Sequence, residues 1–249
     1  MLAAGMGTRL GAEGIVKPKG FIELGGRTLI EHSIQKLKAC GVTSTIIVTG
    51  HQKQFYEKFA EAFSDASFSI KCCYNEEYAT TGTMHSFYKA KAMLEELNTS
   101  SFLLLESDII YRQSALKALQ EDPRKNIILA TSATNAGDEV YIDASELDDR
   151  VQNISKDKGA LKTVHSEFVC ITKFSMNAFQ EMCKLYKNGF EANPYLKAEY
   201  GRYGIVNICK EVPFYALRLP FADCPWTEVD TVEQQERAKE LVDLILSDK

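Results

Sequence analysis

The chain of 249 residues contains seven cysteines, at positions 40, 72, 73, 170, 183, 209 and 224, but no CxxC pair. An odd, scattered set without ligand spacing argues against zinc and against a disulfide framework; it reads as reduced thiols of a cytoplasmic core. No apolar run approaches membrane-spanning length, and the opening MLAAGMGTRLG has no apolar stretch like that of a signal peptide. Positive charge is not in excess: 29 basic residues against 34 acidic ones leave a net charge of −5. Sequence-independent nucleic-acid binding, which needs a broad cationic surface to displace counterions, is therefore disfavoured. There is no internal repeat, low-complexity tract or evident linker. What remains is 45% hydrophobic residues, enough to bury a substantial core as one domain or two closely packed lobes.

Short apolar runs alternate with helical patterns. TLIEHSIQKLKAC places Leu29, Ile30, Ile34 and Leu37 on one helical face, and Gly41 supplies the stop. The run TIIVT at 45–49 predicts a buried strand. HQKQFYEKFAEAF predicts a helix with Phe55, Phe59 and Phe63 at four-residue spacing. SFSIKCCY reads as a strand, TMHSFYKAKAMLEEL as one helix, and FLLLESD as a buried strand. This rhythm predicts a largely parallel α/β sheet covered on both faces. After about residue 130, EVYID, VQNIS and EFVCIT read as shorter, alternating strands of antiparallel hairpins. A helix at SMNAFQEMCKLYK, a polar aromatic stretch, a strand at Phe214–Leu217 and a helix at TVEQQERAKELVDLIL complete the chain.

LAA running into GMGTRLG is the end of a strand entering a loop, the place where open α/β sheets bind ligands. Gly5 and Gly7 allow backbone N–H groups to approach phosphate oxygens, and Arg9 and Lys19 supply compensating charge. The loop is neither a Rossmann fingerprint, since Gly11 falls one residue late for GxGxxG, nor a Walker loop, since no GK[ST] follows. Turn chemistry alone accounts for many such loops.

The whole string LAAGMGTRLG, then KPKGFIELGGRTLIEHSIQKL, resembles the nucleotidyltransferases that join an NTP to a phosphorylated small molecule. Their pattern is LAAGxGxRL, a PK pair (here Pro18-Lys19), a glycine-bearing turn and a helix beginning LIE. The resemblance implies that Leu2, Ala3, Ala4, Gly5, Gly7 and Thr8 wrap the nucleotide while Arg9 and Lys19 hold its phosphates. Members of that family carry several apolar residues ahead of LAAG. The expectation is that the first strand starts upstream of Met1.

In LLLESDII, Asp108 stands just past a buried strand, and in WTEVDTVEQQ, Asp230 stands just before a helix. A carboxylate beside a core is either solvated, capping a helix, or holding a cation. The resemblance pairs one aspartate from each region on a single Mg²⁺, an ion that prefers oxygen ligands and substrate phosphates. Glu228 is expected to support them.

YATTGTMHSF, with Thr81, Gly82 and Thr83 at a helix start, suits hydrogen bonding to a base edge, or an ordinary N-cap; His85 reads as a packing residue. Together with GDEVYID, NISKDKGALK and WTEVD, the chain resembles the 2-aminoethylphosphonate cytidylyltransferases, which stand with the phosphocholine cytidylyltransferases in one wider group. A zwitterionic acceptor needs a cation for its phosphonate and carboxylates for its ammonium: Lys156 and Lys158 are candidates for the first, Glu139, Glu199 and Glu228 for the second. A choline site would favour an aromatic cage, for which Tyr195, Tyr200, Tyr203 and Trp226 are candidates. The charged turn at SKDKGALK is equally readable as solvated surface.

The expectation is one Rossmann-like nucleotidyltransferase domain of the GT-A type over 1–249. Its sheet is mixed and mostly parallel, flanked by helices, with a small antiparallel extension. About 1–130 would bind nucleotide, about 131–225 the acceptor, and 226–249 would close the metal site. The implied reaction is Mg²⁺-dependent transfer of CMP from CTP to 2-aminoethylphosphonate. Phosphocholine and sugar-1-phosphate transfer, and a non-catalytic nucleotide-binding regulatory module, remain as alternatives. No nucleic-acid or membrane partner is expected; a homodimer, or fusion to another enzyme, stays open.

Overall fold

The computed structural model describes residues 1–134, 137–189 and 197–247. The opening LAA forms a two-residue strand, β1 (Leu2–Ala3). It leads through a 3₁₀ turn at Thr8–Leu10, the short helix α1 (Ala12–Val16) and a 3₁₀ turn at Lys19–Phe21. A small antiparallel pair follows, β2 (Glu23–Leu24) and β3 (Arg27–Thr28). Helix α2 (Leu29–Ala39) starts on a reciprocal cap: the Glu31 N–H donates to the Thr28 hydroxyl, and the Thr28 N–H donates to the Glu31 carboxylate at 2.7 Å. It buries Leu29, Ile30, Ile34 and Leu37 as the spacing predicts, and ends before Gly41 at φ 75°.

Strand β4 (Ser44–Thr49), helix α3 (Lys53–Phe63) and strand β5 (Ser69–Tyr74) follow the predicted rhythm. In α3 it is Tyr56, Phe59 and Ala60 that are buried, while Phe55 and Phe63 are half-buried. The single helix expected from TMHSFYKAKAMLEEL is two, α4 (Thr83–Lys89) and α5 (Lys91–Glu96), because the backbone tightens at Ala90 to φ −72°, ψ −5°. Next come β6 (Ser101–Leu105), β7 (Ile109–Tyr111), helix α6 (Ser114–Glu121) and β8 (Ile127–Thr131).

The second part departs most from expectation. Strands β9 (Tyr141–Ala144) and β10 (Val151–Ser155) form an antiparallel pair. EFVCIT, however, lies inside a ten-residue strand, β11 (Ser166–Ser175), that pairs antiparallel with both β6 and β8. It is a central strand, not a short peripheral one, because its apolar side chains are buried on both faces of the sheet. Its register shifts between Phe168 and Thr172, where Cys170 adopts φ 61°. Helix α7 (Met176–Gly189), a π-helical turn at Tyr200–Ile205, α8 (Val206–Ile208), β12 (Tyr215–Leu219), β13 (Trp226–Glu228) and α9 (Val232–Leu246) close the chain.

Leu2 bridges Glu106 in the parallel sense, so the strand order runs β5-β4-β1-β6-β11-β8-β12, with β11 alone antiparallel to its neighbours. Alternation along β4 sends Ile46 and Val48 to the face covered by α4 and α7, and Ile47 to the face covered by α2, α3 and α6. Ile47 is fully buried, and truncating it to Ala would cost about 2–5 kcal/mol.

At the amino-terminal end of the sheet, the first halves of β4 and β6 flank a cavity of about 750 Å³ lined in part by Met1, Ser44, Ile46 and Leu103. The Met1 α-amino group donates to the Ile46 carbonyl at 2.8 Å. All seven cysteines are free thiols. Among the described residues, no helix is long and apolar enough to cross a membrane.

Candidate active site

The site gathers at the carboxyl ends of the parallel strands, where β1 gives way to Ala4 and Gly5 and β6 to Glu106–Asp108. After Gly5 the backbone reverses through Gly7 at φ 65°, and the Leu10 N–H donates to the Gly7 carbonyl at 3.1 Å. The loop folds so tightly onto α1 that a Cβ at Gly14 would collide with the Gly7 carbonyl oxygen. Gly14 is therefore a constraint on the loop that motif reading overlooked. Lys19 is held on a short, pinned segment. Phe21 packs edge-on against Phe55, Tyr56 and Phe59, with ring centroids 5.3, 5.1 and 6.0 Å away. A Cβ on Gly20 would meet the Tyr56 hydroxyl at 3.0 Å.

Two elements distant in sequence bring the aspartates together. β13 pairs antiparallel with β7, Glu228 opposite Ile109, and the Val229 N–H donates to the Asp108 carbonyl at 2.7 Å. Carboxylate oxygens of Asp108, Glu228 and Asp230 consequently lie within 4.8 Å of one another. Capping of α9 falls to Thr231, whose hydroxyl accepts from the Gln234 N–H at 3.2 Å, which leaves the Asp230 carboxylate free of that duty. The Lys19 Nζ lies 2.8 Å from Asp108 Oδ2 and also pairs with Asp230, and the exposed Arg9 guanidinium pairs with Asp230.

Burial, then the nearby Asp108, pushes the Glu228 carboxyl up to about 7. Glu106 is raised well above the usual range, by burial first and then by Asp108 and Glu228. Crowded carboxylates with only oxygen to offer fit a hard divalent cation, whose charge would relieve their repulsion. Asp108 and Asp230 would hold it, with Glu228 beside them. Glu106 was missed in the sequence, although ESD places two acids two residues apart at one strand end.

A cavity of about 290 Å³ joins these groups. Its lining includes Leu2, Ala3, Ala4, Gly5, Arg9 and Lys19, then Thr81, Gly82 and Thr83, and Glu106, Asp108, Glu228 and Asp230. Gly7 and Thr8 shape the loop but lie outside this lining. The N-cap of α4 is Gly82, without a side-chain cap. The Thr81 hydroxyl donates to the Glu77 carbonyl at 2.8 Å, and the Thr83 hydroxyl accepts from the Tyr200 N–H at 3.1 Å. Gly82 is required by close approach, since a Cβ there would collide with the Ala198 carbonyl oxygen. His85 is buried in packing, bonded to the Tyr186 hydroxyl and 3.1 Å from Glu77.

Of the acceptor candidates, Lys156, Glu199 and Glu228 line this cavity. Burial pushes the Glu199 carboxyl up, but two hydrogen bonds from Arg202, at 2.6 and 2.5 Å, and the Lys156 charge outweigh it and hold the group below its usual range. Glu139 lies in an adjoining chamber of about 140 Å³, accepting from the Gly137 N–H at 3.1 Å and the Tyr141 hydroxyl at 3.2 Å. Lys158 lines neither space; its ammonium sits 4.5 Å above the Tyr141 ring. Of the cage candidates, Tyr195 falls outside the described residues, Tyr200 lines the main cavity and Trp226 the smaller chamber. Among the described residues these rings do not form one cage.

A Rossmann-like sheet with a glycine loop, two cations and a carboxylate cluster at its carboxyl edge defines a nucleotidyltransferase fold. Residues 1–169 match the MobA-like NTP transferase domain, and the chain belongs to that family of enzymes. It is 30% identical over 173 residues to the CMP-5'-(3-aminopropyl)phosphonate synthase of Streptomyces rubellomurinus, covering 66% of this chain and 27% of that protein. It is 32% identical over 100 residues to the choline-phosphate cytidylyltransferase of Streptococcus pneumoniae, 40% of each chain. The chain thus spans about a quarter of the first relative's length, and the second alignment covers less than half of either protein. The inositol-1-phosphate CTP transferase of T. maritima superposes with a TM-score of 0.76 over 98% of this chain and 94% of its own, at 18% identity.

Proposed function

We propose that the protein transfers CMP from CTP to 2-aminoethylphosphonate, releasing pyrophosphate. The observation that carries this reading is the mixed charge of one cavity: Arg9, Lys19 and Lys156 share it with Glu106, Glu199 and Glu228. Such a space suits a triphosphate together with a small acceptor that is anionic at one end and cationic at the other. The likeness to an enzyme named for an aminoalkylphosphonate supports the same acceptor class.

In the reaction a phosphonate oxygen forms a bond to the α-phosphorus of CTP, and the bridging bond between the α- and β-phosphates breaks. The acceptor is already an anion at neutral pH, so no general base is needed. Loop amides around Gly5 position the nucleotide, and Lys19 and Arg9 neutralise the phosphates. A divalent ion held by Asp108 and Asp230 would supply further charge stabilisation at the phosphates. Lys156 faces the phosphonate and Glu199 the ammonium.

The deciding experiment measures pyrophosphate release from four NTPs crossed with 2-aminoethylphosphonate, phosphocholine and sugar phosphates. CTP with 2-aminoethylphosphonate should give the highest kcat/KM. Preference for phosphocholine or a sugar phosphate would overturn the acceptor assignment, and absence of turnover with every pair would overturn the enzymatic reading.

A further inference from the structure

We infer that Lys19 is an exchangeable counter-ion of the carboxylate cluster, and that through it nucleotide and divalent metal bind cooperatively. The inference rests on the reading of the site as a metal-dependent nucleotidyltransferase. Lys19 Nζ contacts Asp108 at 2.8 Å and Asp230 at the same time, and its side chain is only 15% exposed. It thus pairs with the same two carboxylates that would hold a divalent ion. Ion–oxygen distances of about 2.0–2.1 Å leave no room for an ammonium on the same pair of oxygens.

Lys19 cannot withdraw by moving its backbone. Phe21 is wedged against Phe55, Tyr56 and Phe59, and Gly20 rests on the Tyr56 hydroxyl. Only the flexible four-carbon stem can swing, and it needs another anion to swing toward. Glu106 and Glu228, which also feel the Lys19 charge, belong to the same crowded carboxylate cluster, and Leu2–Gly5 of the phosphate loop bring no acidic side chain. A triphosphate bound there offers the missing partner, to Lys19 and to Arg9 alike.

The charges set the sign. Without nucleotide, a metal ion must displace Lys19 from its salt bridges with no phosphate for the ammonium to pair with in exchange. With nucleotide, the displaced ammonium pairs with phosphate while the ion takes the carboxylates. Nucleotide therefore raises metal affinity, and metal raises nucleotide affinity by the same factor.

The consequence runs against the usual effect of deleting a site residue: Lys19→Met should bind metal more tightly when no nucleotide is present. The test is Mn²⁺ binding to the nucleotide-free protein, by calorimetry or by loss of the free-ion EPR signal, in wild type, Lys19→Met and Lys19→Arg. It is repeated with a non-reacting α,β-methylene analogue of CTP. Lys19→Met should bind Mn²⁺ on the order of tenfold more tightly than wild type, within the usual range of coupling factors. The analogue should tighten binding strongly in wild type and clearly less in Lys19→Met, while Lys19→Arg, which keeps the charge, stays near wild type. If Lys19→Met binds Mn²⁺ no better than wild type while both bind it, the coupling is overturned and the metal reading stands. If neither protein binds Mn²⁺ with or without the analogue, the metal reading falls and the coupling falls with it.

Discussion

The Val229 N–H donates to the Asp108 carbonyl at 2.7 Å, and this bond sets Asp108 and Asp230 side by side. It continues the β7–β13 pairing, in which Glu228 stands opposite Ile109. The two carboxylates are thus presented from paired backbones, one leaving β6 and one entering α9. A constellation held by strand pairing keeps its geometry when a single side chain is changed, which makes the site open to conservative substitution.

Asp108→Asn and Asp230→Asn should each lower turnover by on the order of 100-fold or more while leaving the fold intact, since each removes an anionic ligand and preserves shape. Steady-state rates with Mg²⁺ and circular dichroism melts check this. EDTA should stop wild-type turnover, and added Mg²⁺ should restore it. A variant that melts normally and retains wild-type rate would show its aspartate to be dispensable.

Lys19→Ala should reduce kcat by on the order of 100-fold, the typical effect of one preorganised charged donor, with little change in acceptor KM. Lys17 provides the control. It stands on the other side of Pro18 and does not line the main cavity, so Lys17→Ala should lose far less. An effect of Lys19→Ala confined to acceptor KM would move this side chain away from the phosphates.

Glu199→Gln should raise the acceptor KM by about tenfold, the order expected for one charged hydrogen bond, with CTP binding nearly unchanged. Glu139→Gln should act more weakly, because Glu139 lies in the adjoining chamber and not on the main cavity. Parallel acceptor titrations at saturating CTP separate the two. Equal, unaltered KM values would remove both carboxylates from acceptor recognition.

Much of this protein is determined locally and was legible for that reason. Helix α2 follows from a Thr28–Glu31 cap, a four-residue apolar spacing and a left-handed glycine, all set within a few turns of chain. The β-branched run of β4 and the strand-to-loop step at Gly5 are equally local. Tertiary structure decided the rest, because those outcomes depend on partners far away in the chain. β11 reads as an isolated short strand until β6 and β8 flank it on both sides, and the Glu106 carboxyl is raised only once the fold buries it and brings Asp108 and Glu228 close. The same holds for the choice between Thr231 and Asp230 as helix cap, and for the placement of Glu139 and Glu199 in different chambers. The sequence determined which side chains could carry charge to a phosphate. Only the pairing of β7 with β13 decided that Lys19 should lie between Asp108 and Asp230, since no local rule reaches across so much chain.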